Sequence, residues 1–173
     1  MNYVNIEKAS CVDFSGWSVV LQVSGCEHKC EGCFVKNAGW WKYTSGEPFT
    51  EDIEKKLLSY ISKPYIDNLV LQGGDPLFKN NLTAILQLCK NVKTSLPSKK
   101  IVLFTGFTLD HLLEDKNRSN ILQYVDYLVD GRFEKELTNP DLLFRGSSNQ
   151  KIWKNNNGSW SDMTSYFTRS VIC

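Results

Sequence analysis

The sequence predicts an α/β fold with a mostly parallel sheet, arranged as a partial, open βα barrel. Short apolar runs of strand length alternate with longer segments whose apolar residues recur at helical spacing. Each apolar run ends in a loop rich in glycine and polar residues. The chain has 173 residues, too few for the eight βα repeats of a closed barrel at roughly 250 residues. In such folds the functional loops gather at the carboxyl ends of the strands.

The first half of the chain predicts two units of strand and loop. Ser18–Ser24 is an apolar strand that runs directly into Gly25 and a group of cysteines. Thr50–Ser62 begins with a capping residue and has apolar residues at helical spacing. Asn68–Gln72 is a second apolar strand, and it is broken by the loop from Gly73 to Pro76. We therefore expect the cysteines and this glycine loop to follow neighbouring strands.

The second half continues the same alternation of strands and helices. The predicted elements are a helix over Asn81–Leu96, a strand over Lys100–Thr105, short helices over Leu109–Leu113 and around Ile121–Tyr124, a strand over Tyr127–Val129 and a last short strand over Leu142–Phe144. From Lys154 onward the composition turns polar, with little apolar surface to bury. We therefore expect one domain over residues 1–153 and a weakly ordered polar tail over 154–173, in which Trp160, Tyr166 and Phe167 are available to dock.

Composition and charge exclude several classes of function. Hydrophobic residues make up 42% of the chain, enough for a full core without disulfides. Twenty basic and 19 acidic residues leave a formal charge of +1 without a block of like charges, so we expect neither a nucleic acid nor a membrane surface as partner. The longest apolar runs are far shorter than the roughly 20 residues of a membrane helix. Because no export signal is visible, we expect the reducing cytoplasm as the compartment.

Three of the six cysteines lie within one short loop. Cys26, Cys30 and Cys33 have the spacing C-x3-C-x2-C, which lets three thiolates converge on one iron–sulfur cluster. In a reducing compartment such a group indicates metal binding rather than disulfides. Ordinary cubane clusters take four cysteines, so three ligands leave one iron open, and an open position is typical of a reacting metal centre. The sequence therefore predicts a [4Fe-4S] cluster with an accessible iron.

Two other metal sites remain compatible with this spacing. A structural zinc site would take His28 or a distant cysteine as its fourth ligand, and a closed electron-transfer cluster would need a fourth cysteine. His28 lies between two of the cysteines, where it suits a solvent-facing or outer position better than direct ligation. Cys11, Cys89 and Cys173 are scattered, and Cys89 lies on an apolar helical face. We expect none of these three as a ligand.

The cysteine loop after the first strand and the Gly73-Gly74-Asp75-Pro76 loop after the second together resemble the radical S-adenosylmethionine superfamily. In that superfamily the methionine part of the cofactor chelates the open iron, and a Gly-Gly-Glu-Pro loop contacts its amino group. The resemblance implies a partial barrel of radical SAM type in which Gly73, Gly74 and Asp75 bind the cofactor. Two glycines permit a close approach to an amine, and a carboxylate favours its charge. Asp75 is one methylene shorter than the usual glutamate. The resemblance therefore leaves open whether its carboxylate contacts the cofactor directly.

Further residues resemble one branch, the activating enzymes of anaerobic (class III) ribonucleotide reductases. The residue before the last cysteine, often aromatic in the superfamily, is Gly32, and Phe34 follows Cys33. The stretches Val129–Phe133 and Leu143–Gln150 resemble late motifs of the same activases. The resemblance covers about residues 1–153 and implies that Gly32, Cys33 and Phe34 also border the cofactor. It assigns no catalytic residue beyond the cluster ligands.

The resemblance implies an oxidoreductase that activates a second protein. A reduced cluster would give one electron to S-adenosylmethionine, releasing methionine and a 5′-deoxyadenosyl radical, and that radical would take a hydrogen from a glycine of the large reductase subunit. The electron donor must be a strong reductant such as reduced flavodoxin, because related clusters lie near roughly −400 mV. A formate-lyase-type activase or a small-molecule radical enzyme would share the cysteine loop, but it should lack the stretch Arg145–Gln150.

Asp130 and Arg145 are two further polar residues at or near predicted strand ends. Either side chain could hold the ribose or the carboxylate of the cofactor. The alternative is a structural ion pair, which is at least as common for such residues. Ser147, Ser148 and Asn149 equally suit an ordinary turn.

Overall fold

The computed structural model describes residues 1–167 and contains eight strands and five α-helices in that range. The strands are β1 (Asn2–Ser10), β2 (Ser18–Val23), β3 (Glu47–Pro48), β4 (Asn68–Gly73), β5 (Lys100–Phe104), β6 (Tyr127–Asp130), β7 (Lys151–Asn156) and β8 (Ser159–Asp162). The helices are α1 (Phe34–Asn37), α2 (Glu51–Ile61), α3 (Leu82–Ser95), α4 (Leu109–Glu114) and α5 (Lys116–Leu122), with a 3-10 turn at Lys135–Leu137. No helix within residues 1–167 has both the length and the apolar character needed to cross a bilayer.

The strands form one sheet in the order β3-β1-β2-β4-β5-β6-β7-β8. The central strands β2, β4, β5 and β6 are parallel neighbours. The two strands at each edge pair antiparallel. The predicted α/β class is confirmed, but the prediction of a mostly parallel sheet is wrong, because four of the seven pairings are antiparallel. The edge strands return without a crossover helix, which only antiparallel neighbours can do.

Side-chain alternation along the central strands produces two apolar layers. On one face, fully buried residues such as Leu21, Leu71 and Leu103 pack against the helices. The opposite face carries Val20, Val70, Val102 and Val129, which pack with Phe14, Ile152 and Phe167. Strands buried on both faces are typical of a parallel sheet core, which explains why their sequences are almost continuously apolar.

The predicted elements of the core correspond closely to the structure. The predicted strands 18–24, 68–72, 100–105 and 127–129 are β2, β4, β5 and β6, and the predicted helices 50–62 and 81–96 are α2 and α3. Helix α2 begins where expected because the Thr50 hydroxyl accepts a hydrogen bond from the Ile53 amide at 3.4 Å. These elements place the cysteine loop after β2 and the glycine loop after β4.

The expected strand over Leu142–Phe144 is wrong. This segment turns at Phe144, whose φ is +57°, and lies outside every strand. The Phe144 ring packs against Phe14 and Phe167, with centroid distances of 4.9 and 5.5 Å. The apolar residues that suggested a strand therefore belong to an aromatic cluster beneath the sheet.

The C-terminal segment also differs from the weakly ordered tail that its composition predicts. Strand β7 crosses the expected boundary between residues 153 and 154, and it pairs with β6 on one side and β8 on the other. Ile152 is fully buried, and polar side chains occupy most of the exposed positions of the β7–β8 hairpin. Phe167 docks into the aromatic cluster at 5% exposure. Residues 168–173, including Cys173, lie outside the described part of the chain.

The helix-facing layer predicts a large cost for shortening Leu71. Leu71→Ala should lower the free energy of unfolding by about 2–5 kcal/mol, because the lost side chain would leave a cavity between β4 and the helices. Leu113→Ala is the control, since Leu113 on α4 is 49% exposed, and it should cost less than about 1 kcal/mol. Urea unfolding followed by circular dichroism under reducing conditions measures both. Equal losses in the two variants would contradict the assignment of this layer as the core.

Candidate functional site

The three clustered cysteines border one cavity at the carboxyl ends of the central strands. Cys26, Cys30 and Cys33 lie in the loop between β2 and α1, and they enclose about 250 Å³ together with the ends of β4, β5 and β6. All three are partly exposed free thiols. Cys11 is exposed and Cys89 is buried in α3, and neither borders this cavity. Among the cysteines of residues 1–167, the three that the sequence singled out are thus the ones brought together.

The cavity and the neighbouring thiols influence the protonation of the cysteines. Burial, together with the nearby charges of Asp75 and Cys30, raises the pKa of Cys26 to about 11. Burial also raises the pKa of Cys30, with Cys33 as the next cause. The thiols of Cys26 and Cys30 therefore resist ionisation until a metal binds them and displaces their protons.

A site for a single metal ion has a different geometry from a site for a cluster. Within residues 1–167, no three His, Cys, Asp or Glu side chains converge closely enough to hold one ion. A cubane does not require the three thiolates to converge on one ion, because each thiolate binds its own iron. Thiolate sulfur is a soft ligand that suits iron–sulfur clusters. The donor atoms around the cavity therefore fit the type of cluster that the spacing predicts.

The glycine loop brings the end of β4 against the start of the cysteine loop. A Cβ on Gly73 would lie 2.6 Å from the Val23 carbonyl oxygen, and one on Gly74 would lie 2.4 Å from that of Gly25. The amides of Gly74 and Asp75 donate to these same two oxygens at 2.7 Å. Both glycines border the same cavity as the three cysteines. The structure adds a reason for them, namely the close approach of two backbone segments.

The carboxylate of Asp75 is buried and engaged by donors of the protein itself. Its side chain is 1% exposed. The Leu77 amide donates to Oδ1 at 2.8 Å and the Gly106 amide to Oδ2 at 3.0 Å. The Thr105 hydroxyl lies 3.0 Å from both oxygens, and His28 Nε2 lies 2.9 Å from Oδ2. The sequence left open whether Asp75 reaches the cofactor directly. Asp75 borders the cavity, and its oxygens anchor the cysteine loop to the ends of β4 and β5.

His28 is the residue through which the cysteine loop reaches Asp75. Its side chain is 3% exposed, so of the two positions that the sequence suggested for it, the solvent-facing one is wrong and the outer position behind the cysteines remains. The imidazole lies edge-on to the Phe107 ring at 4.5 Å. Gly106 provides the space, since a Cβ there would lie 2.3 Å from the imidazole. His28 therefore holds the loop between Cys26 and Cys30 down onto the sheet.

Sequence reasoning missed several residues of the cavity. They are Gln22, Gln72, Phe104, Thr105, Gly106, Phe133 and Gln150. One signal was present, because a glutamine occupies the same place near the end of two apolar strands. Gln22 and Gln72 are register partners in the parallel pair β2–β4, so they share the face that carries the valines. The Gln72 amide donates to Asp13 Oδ1 at 2.7 Å, which fixes one of these polar groups.

A groove of about 590 Å³ continues from the cavity to the surface. The two spaces share six residues, which are Cys33, Phe34, Gln72, Phe104, Phe133 and Gln150. Gly32 borders the groove rather than the cavity. Phe34 is 68% exposed at its entrance. The site is therefore open at the surface on the side where Phe34 lies.

Asp130 and Arg145 are held mainly by backbone groups. Asp130 Oδ2 accepts a hydrogen bond from the Leu109 amide at 2.7 Å, where α4 begins. Burial raises the pKa of Asp130. Arg145 donates to the carbonyls of Leu143 at 3.4 Å and Gln150 at 3.2 Å, and it also borders the groove. These contacts give both residues structural roles that differ from the ion pairs considered above.

Comparison with known proteins identifies related sequences over nearly the whole chain. A family model described as "4Fe-4S single cluster domain" matches residues 12–153. Proteins named anaerobic ribonucleoside-triphosphate reductase-activating protein are similar to this chain. The one from Enterobacteria phage T4 is 43% identical over 160 residues, which cover 92% of this chain and 98% of the relative. The one from Pasteurella multocida (strain Pm70) is 40% identical, covering 89% and 98%, and that from Escherichia coli (strain K12) is 36% identical, covering 88% and 97%.

The contacts of Asp75 predict that Asp75→Asn is strongly destabilising. The substitution removes the charge and turns an amide group towards buried donors, which should cost about 3 kcal/mol. The matched control is Asp52→Asn, which alters an exposed ion pair with Lys55 and should change stability little. Chemical unfolding of the metal-free protein under reducing conditions measures the difference. If Asp75→Asn were as stable as the control, the proposed anchoring of the cysteine loop would be wrong.

Proposed function

Because the chain belongs to the anaerobic ribonucleoside-triphosphate reductase-activating proteins and carries a 4Fe-4S single cluster domain, we propose that it cleaves S-adenosylmethionine reductively at a [4Fe-4S] cluster on Cys26, Cys30 and Cys33. The chain is an activating enzyme whose target is anaerobic ribonucleotide reductase. The observation that carries the proposal is a single cavity bordered by three cysteines, with the other cysteines of residues 1–167 placed elsewhere. Three thiolates leave one iron of a cubane for the substrate.

The space beside the thiols suits a nucleotide cofactor. The cavity of about 250 Å³ opens into the groove of about 590 Å³, and sites for ligands of this class usually enclose roughly 300–1,000 Å³. Apolar rings line this space together with a few convergent amides, as is typical of small-molecule sites. Phe104 and Phe133 supply the apolar walls, and Gln72 and Gln150 supply polar groups. We infer that S-adenosylmethionine binds across the cavity and the inner end of the groove.

Held by Cys26, Cys30 and Cys33, a reduced [4Fe-4S] cluster would supply the one electron that breaks the bond between the sulfonium and the 5′ carbon of S-adenosylmethionine, with methionine as the leaving group, so that a hydrogen atom could be taken from a glycine of the reductase. The chain itself holds and orients the reactants. The three thiolates fix the cluster, and the contact of Asp75 with His28 fixes the loop that carries the thiolates. Gly73 and Gly74 place backbone directly beside the cavity, and Phe104 and Phe133 border it with apolar surface.

The fold supports a partial barrel of radical SAM type. The parallel strands β2, β4, β5 and β6 are consecutive in the sheet, with the cysteine loop after the first and the glycine loop after the second. We place the enzyme in the cytoplasm, since exposed thiols and an open cluster need a reducing compartment. Its protein partners are the large subunit of the reductase and a strong one-electron donor, for which reduced flavodoxin is our candidate.

Substitution of one cysteine tests the proposal. Reconstituted Cys30→Ala, incubated anaerobically with dithionite, S-adenosylmethionine and the reductase, should form neither 5′-deoxyadenosine nor a glycyl radical, because the cluster loses one of its three ligands. Cys11→Ala should behave like the unaltered protein, since Cys11 lies away from the cavity. Chromatography measures the nucleoside, and paramagnetic resonance measures the radical. Full activity of Cys30→Ala would refute the ligand assignment.

The same assay separates the two parts of the function. Formation of 5′-deoxyadenosine without a glycyl radical would retain the cleavage of S-adenosylmethionine and reject the reductase as its substrate. If the spectrum of the cluster did not change when S-adenosylmethionine is added, the site would instead be a closed electron-transfer cluster. A protein that stays colourless after incubation with iron and sulfide would indicate zinc.

A further inference from the structure

We propose that the outer side of the cysteine loop docks an acidic, low-potential electron-carrier protein through Lys29, Lys36 and Lys42. These three residues are called the basic face below. The inference rests on the proposed function, because a cluster that gives away one electron per turnover must receive another. It goes further by assigning the place where the carrier binds and the residues that bind it.

The charges between Cys26 and Gly46 are not balanced on the surface. The two acidic residues in this stretch are paired with cations from other parts of the chain, Glu27 with Arg118 at 3.4 Å and Glu31 with Lys135 at 3.1 Å. Its three lysines are exposed, and none of them has a carboxylate of residues 1–167 within ion-pair distance. The whole chain carries a formal charge of only +1. The basic face is therefore a local concentration of uncompensated positive charge.

Two of the lysines lie over the same indole ring. Lys29 Nζ is 4.8 Å and Lys42 Nζ is 5.9 Å from the ring centroid of Trp41. Lys36 lies on α1, the short helix that follows Cys33. The ring attracts both cations while their side chains stay exposed, and carboxylates of a partner could pair with them. The basic face is thus complementary to an acidic protein surface.

The backbone beneath the basic face connects directly to a proposed cluster ligand. The Trp41 carbonyl accepts a hydrogen bond from the Cys26 amide at 3.0 Å, and the Trp40 carbonyl accepts one from the Gly25 amide at 2.8 Å. An electron arriving at Trp41 would therefore cross one hydrogen bond to reach the residue that holds the cluster. The three lysines border neither the cavity nor the groove. A carrier bound here would leave the groove free for the reductase.

The small number of cations on the basic face favours a protein carrier over a nucleic acid as the partner. Three cations are enough to steer an acidic protein and to make its association depend on salt. A specific nucleic-acid site usually makes more phosphate contacts and lies on a domain with a strongly basic isoelectric point. The isoelectric point of this chain is about 7.5, so an acidic electron carrier is the occupant that fits.

Charge reversal tests the proposal. In Lys29→Glu/Lys42→Glu, reduction of the cluster by reduced flavodoxin should be about 10-fold slower at low salt, and it should no longer slow as salt is raised, because steering is lost. The control Lys56→Glu/Lys90→Glu makes the same change of net charge on exposed positions of α2 and α3, and it should keep nearly the original rate. Stopped-flow absorbance of the reconstituted proteins measures the rates.

A second reductant separates docking from effects on the cluster itself. Photoreduced deazaflavin, a small reductant, should reduce both double variants as fast as the unaltered protein. An unchanged rate with flavodoxin in Lys29→Glu/Lys42→Glu would overturn the proposal. Equal slowing with both reductants would also overturn it, since the lysines would then act on the cluster. Cleavage of S-adenosylmethionine by the chemically reduced, unaltered protein tests the proposed function separately.

Discussion

The hydrogen bonds of the Asp75 carboxylate hold the cysteine loop, the end of β4 and the end of β5 in one arrangement. His28 donates from the first of these segments, Leu77 from the second, and Thr105 and Gly106 from the third. A buried carboxylate is costly unless donors satisfy it, so the three segments are stable only together. Because Cys26 and Cys30 flank His28, this contact sets where their thiols lie relative to the cavity.

This arrangement explains why the glycine loop carries an aspartate, Asp75, rather than a glutamate. A side chain one methylene shorter than glutamate keeps the carboxylate beneath the cysteine loop, where His28 reaches it at 2.9 Å. The two residues therefore suit each other, and Gly106 leaves the space that the imidazole requires. Because the oxygens of Asp75 are engaged inside the protein, we expect contacts with the cofactor to include the backbone near Gly73 and the amide of Gln72.

Local patterns in the sequence were enough to predict the parts of the site that depend on local spacing. The three cysteines and the two glycines follow apolar strands that are easily recognised, so parallel pairing brings them to one edge. His28 and Asp75 are separated by 47 positions, and no local pattern indicates that they meet. Residues 142–144 and the strand β7 were misjudged for a related reason, since distant partners such as Phe14 and β6 decide their conformation.

The central claim is that a cubane held by three thiolates leaves one iron free to bind S-adenosylmethionine. Mössbauer spectra of protein reconstituted with isotopically enriched iron test this most directly, with and without S-adenosylmethionine. We predict that the cofactor changes the signal of one iron in the cubane and leaves the other three as they were. A spectrum in which all irons are equivalent and unaffected by the cofactor would contradict the account.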